Sequence, residues 1–372
     1  MAKQCACDYP PFQISHMFDP IQFARPNIRA LVPYSSARDE FKGEAKVFID
    51  ANENSLGSPL MKWYHRYPDP HQHALKEKIA SIKGIQADHV FLGNGSDEAI
   101  DILFRAFCTP GHDEVILCPP TYGMYEVSAH INDVRIRTAP LTPDFQLDLE
   151  AIEEAVRPET KIIWLCSPNN PTGNSLNRSD VEMLLNNFHG LVVIDEAYVN
   201  FSRQKSFIQE LPEYPNLVVL QTLSKAWGLA ALRVGMAFAS TGIIGIMDKV
   251  KPPYNINQPA QELAMQALEE LGQVNDMILL LVDERRKMAE ALPQLPMVEK
   301  VYPSDANFLL VKMQHAREIY AFLLSRGIVV RDRSKTPGCE GCLRITVGTP
   351  RENDLLWQSL CDYADQLELE KS

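Results

Sequence analysis

Between about residues 75 and 240, short β-rich runs alternate with stretches of helical periodicity. Val90-Phe91-Leu92, Glu114 to Cys118, Lys161 to Cys166, Leu191 to Ile194, Leu217 to Leu220 and Val234 to Phe238 are almost continuously apolar rather than alternating apolar with polar. Strands of that kind are buried on both faces, so helices must cover both; the pattern predicts a mostly parallel sheet in a doubly wound α/β unit. In such a sheet, ligands gather at the C-terminal ends of the strands. After Lys251-Pro252-Pro253-Tyr254, a pattern rich in Ala, Leu, Glu and Met predicts a long interdomain helix from near Gln258 towards Leu292, with a break expected at Gly272. Beyond it, Phe308 to Val311, a helix around Ala316 to Ser325, Gly327 to Arg331, Leu343 to Val347 and a last helix from about Glu352 predict a small α+β domain. The first 45 residues are proline-containing and weakly periodic, and are expected to form an arm that packs on the small domain. The expected organisation is therefore an arm over 1–45, a large domain over 46–255 and a small domain over 256–372.

Composition narrows the class. A chain of 372 residues exceeds the size at which one core usually keeps growing, in line with two unequal domains. Hydrophobic content of 45% and charged content of 23% are ordinary for a globular enzyme, and no apolar run approaches the roughly 20 residues needed to span a bilayer. No apolar stretch of signal-peptide length follows Met1, which makes the cytoplasm the expected compartment and disulfides unexpected. Cys108, Cys118 and Cys166 lie in apolar segments and read as small buried hydrophobes. Cys339 and Cys342 have C-x-x-C spacing without a second pair or a thioredoxin-like setting, which favours a loop over metal or redox work. A net charge of −12 without a basic run argues against nucleic acid as a partner.

Candidate chemistry falls at the predicted strand ends. Lys225, in Thr222-Leu223-Ser224-Lys225-Ala226-Trp227-Gly228, follows one strand, and Asp195 closes another thirty positions earlier. A lysine amine can hold the aldehyde of pyridoxal phosphate as a Schiff base, and a carboxylate can keep the pyridine nitrogen of that cofactor protonated. Alone, either residue reads as a surface charge or a helix cap. Gly95-Ser96-Asp97 sits between a strand and a helix, where free N–H groups can cradle a phosphate or a capped turn can form. It lacks the lysine of a nucleoside-triphosphate loop. Tyr122, after Pro119-Pro120-Thr121, can stack on a planar heterocycle or pack against the core. The Asn170 amide, in a turn-rich loop, can donate to a phenolate oxygen, and Tyr198, three residues past Asp195, can reach the same atom. Ser224 and Arg233 flank Lys225 and suit a dianionic phosphate.

Taken together, these fragments resemble the fold-type I pyridoxal-phosphate-dependent aminotransferases, in order and over nearly the whole chain. Arg25-Pro26-Asn27-Ile28-Arg29, Pro33 to Arg38, Asn52-Glu53-Asn54, Arg66-Tyr67-Pro68-Asp69, Cys118 to Tyr125 and Gly341 to Thr349 are similar to the histidinol-phosphate aminotransferase family within that superfamily. The resemblance implies a three-layer α/β fold with a mostly parallel seven-stranded sheet and a smaller α+β domain. It implies Lys225, Asp195 and Tyr198 as catalytic residues, Tyr122 stacked on the ring, and Asn170 with Tyr198 at the ring oxygen. Gly95, Ser96, Asp97, Ser224 and Arg233 are implied at the cofactor phosphate, with Tyr67 reaching it from the second subunit of a homodimer. Arg344 matches the arginine that grips the substrate anion, and Tyr34, Asn52 and Arg331 fall where further substrate contacts are expected.

The implied reaction is reversible amino transfer between histidinol phosphate and 2-oxoglutarate, with glutamate as a product, in histidine biosynthesis. Aromatic amino acid aminotransferases and threonine-phosphate decarboxylases of the same fold share the Lys225 and Asp195 set, and cofactor chemistry does not separate them. A non-catalytic pyridoxal-phosphate-binding regulator would be expected to carry a DNA-binding module. The resemblance already spans the chain from near Arg25, and the acidic balance agrees with its absence.

Overall fold

The computed structural model describes residues 18–35, 46–60, 62 and 64–369. Two single-turn helices open the described chain, α1 (Pro20–Phe23) and α2 (Pro26–Arg29), followed by α3 (His73–Lys83). The large sheet then builds from β1 (Val90–Asn94), β2 (Glu114–Leu117), β3 (Arg135–Thr138), β4 (Thr160–Cys166), β5 (Leu191–Asp195), β6 (Leu217–Thr222) and β7 (Val234–Ala239). Its seven strands lie in the order β1-β7-β6-β5-β4-β2-β3. Pairs β3–β2, β2–β4, β4–β5 and β5–β6 are parallel, whereas β7 runs antiparallel to both β6 and β1. The fold is thus the α/β architecture expected, with one reversed strand.

The apolar runs behave as their composition dictates. Every residue of β5, β6 and β7 is buried. Side chains alternate between faces, so Val192, Ile194, Leu217 and Val219 join one core while Leu191, Val193, Val218 and Leu220 join the other. On the second face lies α4 (Gly95–Phe107), with α5 (Met124–Ile131) beside it; α6 (Leu149–Ala155) and α7 (Arg178–Asn187) contribute Ile152, Val181 and Leu184 to the first. The strand β3 was not expected. Its sequence Arg-Ile-Arg-Thr carries charge because it forms the sheet edge, where Arg137 pairs with Glu114 at 2.5 Å.

After α8 (Thr241–Val250), the expected long helix is two helices, α9 (Gln258–Ala267) and α10 (Leu271–Ala291). The break falls at 268–270, not at Gly272. Leu268 turns into the core and Glu270 leaves helical geometry with φ −95° and ψ 37°. Gly272 sits in the first turn of α10, where N–H groups lack helical partners anyway.

A second, antiparallel sheet follows in the order β10-β11-β9-β8, made of β8 (Val298–Val301), β9 (Phe308–Met313), β10 (Arg331–Asp332) and β11 (Cys342–Thr346). Ile319 and Leu323 of α11 (Ala316–Ser325) and Leu356 and Leu360 of α12 (Pro350–Leu369) pack on it together with Met288 of α10. Arg285 of α10 joins the two sheets' surroundings by donating to the carbonyls of Phe201 at 3.3 Å and Ala306 at 2.6 Å.

The arm corrects one expectation. Residues 20–29 lie on the large sheet's helices and not on the small domain: Arg25 N–H donates to Ala106 O at 3.1 Å, Phe23 packs on Phe107 with centroids 6.1 Å apart, and Ala24 and Ile28 enter the core beneath α4 and α8. The apolar residues of α1 and α2 find an apolar strip on those helices that the sheet alone leaves uncovered. Arm residues 1–17 and 36–45 lie outside the described residues. Among the described residues, no helix is long and apolar enough to cross a membrane.

Candidate active site

Strands β4, β5 and β6 end side by side, and their C-terminal ends with the β1–α4 and β2–α5 turns enclose one cavity. Gly95, Ser96, Asp97, Tyr122, Asn170, Asp195, Tyr198, Ser224, Lys225 and Arg233 all line it, as do Cys166, Ala197 and Thr222. Ten residues scattered over 139 positions of sequence, from Gly95 to Arg233, are brought together because parallel strands place every C-terminal turn on the same edge.

Asp195 is buried at 2% exposure. Its Oδ1 accepts the Ala197 N–H at 3.0 Å and its Oδ2 accepts the Tyr125 hydroxyl at 2.8 Å. Burial pushes its carboxyl up to about 6, while the Tyr125 and Ala197 donors hold it down. The Lys225 Nζ lies 5.6 Å from the centre of the Tyr198 ring. Burial lowers the Lys225 amine below the ordinary lysine range and the Arg344 charge adds to this, while Asp195 and Asp97 oppose it. Burial also raises the phenols of Tyr122 and Tyr198, and the charge of Asp97 adds to the shift at Tyr122.

At the phosphate-cradle end, Gly95 takes φ +74°, a conformation open to glycine, and begins α4. Gly235 of β7 faces that turn; a Cβ there would fall on the Ser96 nitrogen and the Gly95 carbonyl carbon. Bare backbone at both positions leaves the helix N-terminus accessible. Arg233 donates to Asp97 Oδ2 at 3.3 Å and reaches Ser224 Oγ at 3.5 Å, and Tyr122 donates to Asp97 Oδ1 at 3.1 Å.

At the other end, the Asn170 amide donates to the Tyr198 hydroxyl at 3.3 Å and its Oδ1 accepts from Arg344 Nη1 at 2.5 Å. Arg344, on β11, thus joins the second sheet to the cavity wall although it does not line the cavity itself. Its Nε is buried with no partner, and burial lowers its guanidinium below the usual range. Arg331 is the cross-strand partner of Arg344, so the two side chains share a face of the sheet. Arg333 follows directly after β10; burial lowers its guanidinium, and the charges of Arg344 and Arg331 add to this.

Tyr34, Asn52 and Tyr67 do not line this cavity. Tyr34 is 71% exposed, and Tyr67 is half exposed and stacked on Tyr254 with centroids 4.5 Å apart. Asn52 is exposed and takes φ 53°, in the left-handed region. Tyr125, Gly235 and Thr222 were not singled out from the sequence. Tyr125 lies in the first turn of α5, just after the turn that carries Tyr122, and meets that ring edge-on.

A family model for aminotransferase class I and II matches residues 41–360. The chain belongs to that family. Within it, the chain is 51% identical over 339 residues to the histidinol-phosphate aminotransferase of Cytophaga hutchinsonii, covering 91% of this chain and 97% of that one. It is 52% identical over 344 residues to the histidinol-phosphate aminotransferase of Parabacteroides distasonis, covering 92% and 99%. The fold superimposes on the crystal structure of the histidinol-phosphate aminotransferase of Sinorhizobium meliloti, solved with pyridoxal-5'-phosphate, with a TM-score of 0.76, 25% identity and coverage of 85% and 90%.

Proposed function

We propose that this chain is a pyridoxal-phosphate-dependent aminotransferase that moves an amino group reversibly between L-histidinol phosphate and 2-oxoglutarate, giving imidazole acetol phosphate and glutamate, in histidine biosynthesis. The observation that carries the reading is the meeting, in one cavity, of a desolvated lysine with a buried carboxylate and a glycine-lined helix N-terminus beside an arginine. The identity of about half the residues with the two named relatives supports the choice of substrate.

The residues fit the cofactor. Asp195 is a buried carboxylate whose raised pKa marks a shortage of positive charge, and a protonated ring nitrogen would supply it. The first N–H groups of α4, bare because Gly95 and Gly235 carry no side chain, fit a phosphate together with Ser96, Asp97, Ser224 and Arg233. Tyr122 fits the ring face, and Tyr198 with Asn170 the ring oxygen. When bound, pyridoxal phosphate supplies an electron-withdrawing ring that stabilises negative charge developing at a substrate carbon.

Lys225 would provide the amine that holds the cofactor and, when free of it, would act as the base. Desolvation keeps a larger share of it unprotonated near neutrality, so it takes the proton from the substrate Cα. With the cofactor bound, Asp195 would stay anionic against its ring nitrogen and stabilise positive charge there. Tyr198, whose hydroxyl accepts the Asn170 amide, would donate to its ring oxygen.

Donor and acceptor must share one anion site, because histidinol phosphate offers a phosphate where 2-oxoglutarate offers a carboxylate. The planar guanidinium of Arg344, with Arg331 beside it, can donate two parallel N–H bonds to either anion. Tyr34 and Asn52 complete the substrate side. The working unit is a homodimer in the cytoplasm, with Tyr67 reaching the neighbouring cofactor phosphate. The exposure of Ile49 at 84% and Leu56 at 96%, on the segment leading to Tyr67, supports a covering second copy. Residues 46–255 form the cofactor-binding unit and 256–372 the smaller one. The test is glutamate release from L-histidinol phosphate and 2-oxoglutarate by purified holoenzyme, with Lys225→Ala as control. Turnover by the lysine variant at the wild-type rate would contradict the reading.

A further inference from the structure

Tyr125 touches the carboxylate at the centre of the site while lying outside the cavity. Its ring is fully buried in α5, stacked on Trp164 with centroids 5.1 Å apart and planes 19° apart, and Trp164 stacks in the same way on Phe104. Tyr122 meets the ring edge-on at 5.5 Å and 83°. Trp164, itself backed by Phe104, and Tyr122 thus fix where the Tyr125 hydroxyl stands, and it stands 2.8 Å from Asp195 Oδ2. The opposite oxygen of Asp195 is held by the Ala197 N–H at 3.0 Å. An ionised carboxylate offers about four lone-pair sites. Two are taken from the protein side, which leaves the others for the cavity.

We propose that Tyr125 is the positioning residue of the ring-nitrogen site: its immobilised hydroxyl orients the Asp195 carboxylate and, by donating to it, keeps the proton shared between Asp195 and the cofactor on the ring nitrogen. This inference rests on the function proposed above. A donor on a carboxylate stabilises its ionised form and weakens its hold on a proton. A hydrogen bond to a charged group shifts such an equilibrium by roughly tenfold to a hundredfold. The other groups facing Asp195 do not replace Tyr125. Asp97 of α4 is itself an anion, the Cys166 thiol of β4 donates to Pro168 O at 3.5 Å, and Lys225 is occupied in the proposed chemistry. Tyr122 donates to Asp97, and Tyr198 takes the Asn170 amide.

The experiment loads holoenzyme with cofactor labelled with 15N at the ring nitrogen. In the wild type, the 15N resonance should sit at the protonated position. In Tyr125→Phe, which keeps the ring stack, it should move towards unprotonated pyridine, and the cofactor dissociation constant should rise about tenfold or more. Placing 3,5-difluorotyrosine at position 125 keeps the ring stack but gives a more acidic phenol, whose proton is lost at a lower pH than that of tyrosine. As pH rises and that donor is lost, the resonance should move towards unprotonated pyridine at a pH where the wild-type resonance has not moved, and this tests the proposal even where the phenylalanine variant does not fold. Resonances and dissociation constants unchanged in both variants would overturn the role of Tyr125 and reduce it to packing. A wild-type chain that takes up no cofactor would instead overturn the function on which the inference rests.

Discussion

Asp195→Asn should change how the cofactor-free protein responds to pH more than how stable it is at one pH. The Asp195 carboxyl rises from 3.8 to about 6 on folding because it is buried. A carboxylate whose folded pKa lies above its unfolded one costs nothing below the unfolded value. It costs stability increasingly as pH rises between the two values, and a constant amount above the folded one. A shift of about 2 units corresponds to about 3 kcal/mol, of which about 2 kcal/mol accumulates between about pH 4.5 and about pH 7.5. Asparagine does not ionise, so this slope vanishes. The asparagine oxygen can accept from Tyr125 or from Ala197 but not both, which adds a destabilising offset of about 1–3 kcal/mol that is the same at both pH values. The assay is urea unfolding of both cofactor-free proteins at the two pH values and one protein concentration. The stability of the variant minus that of the wild type should rise by about 2 kcal/mol on going to the higher pH. A difference that stays constant, or falls, would refute the view that Asp195 is a carboxylate short of positive charge.

Lys225→Ala should lose both the visible absorbance of anchored cofactor and amino transfer, followed by spectrophotometry and glutamate release. Arg344→Lys should raise KM for histidinol phosphate and for 2-oxoglutarate together, by roughly tenfold to a hundredfold, because a point charge replaces a bidentate fork against both anions; steady-state kinetics with each substrate varied in turn checks this. Gly235→Ala should weaken cofactor binding about tenfold and destabilise the protein by about 1–3 kcal/mol, since the new Cβ displaces the Gly95–Ser96 turn; equilibrium dialysis of cofactor and thermal unfolding measure the two effects.

The strands that carry the site were legible because they are buried on both faces, which leaves few ways to compose them other than Leu191-Val192-Val193-Ile194. Edge strands escape that logic. In β8, Val298 and Val301 are half-buried while Glu299 and Lys300 are exposed, and Glu299 pairs with Lys312 at 3.3 Å, so its charge disguised it as it did β3. The site was legible where a residue's type is unusual for its place, as with Asp195 ending an apolar run. Tyr125 is an aromatic in an amphipathic helix, and that pattern is satisfied by packing alone; its role depends on which strand end lies opposite. The arm failed for a related reason. Phe23 and Ile28 declare that they need a core, but only the tertiary structure decides that the core belongs to α4 and α8.

The central claim is tested most directly by presenting the holoenzyme with L-histidinol phosphate, L-phenylalanine and L-threonine phosphate in competition, with 2-oxoglutarate as acceptor. The prediction is a clear kcat/KM preference for histidinol phosphate with one glutamate formed per keto product. Preference for phenylalanine, or release of carbon dioxide from threonine phosphate, would contradict it.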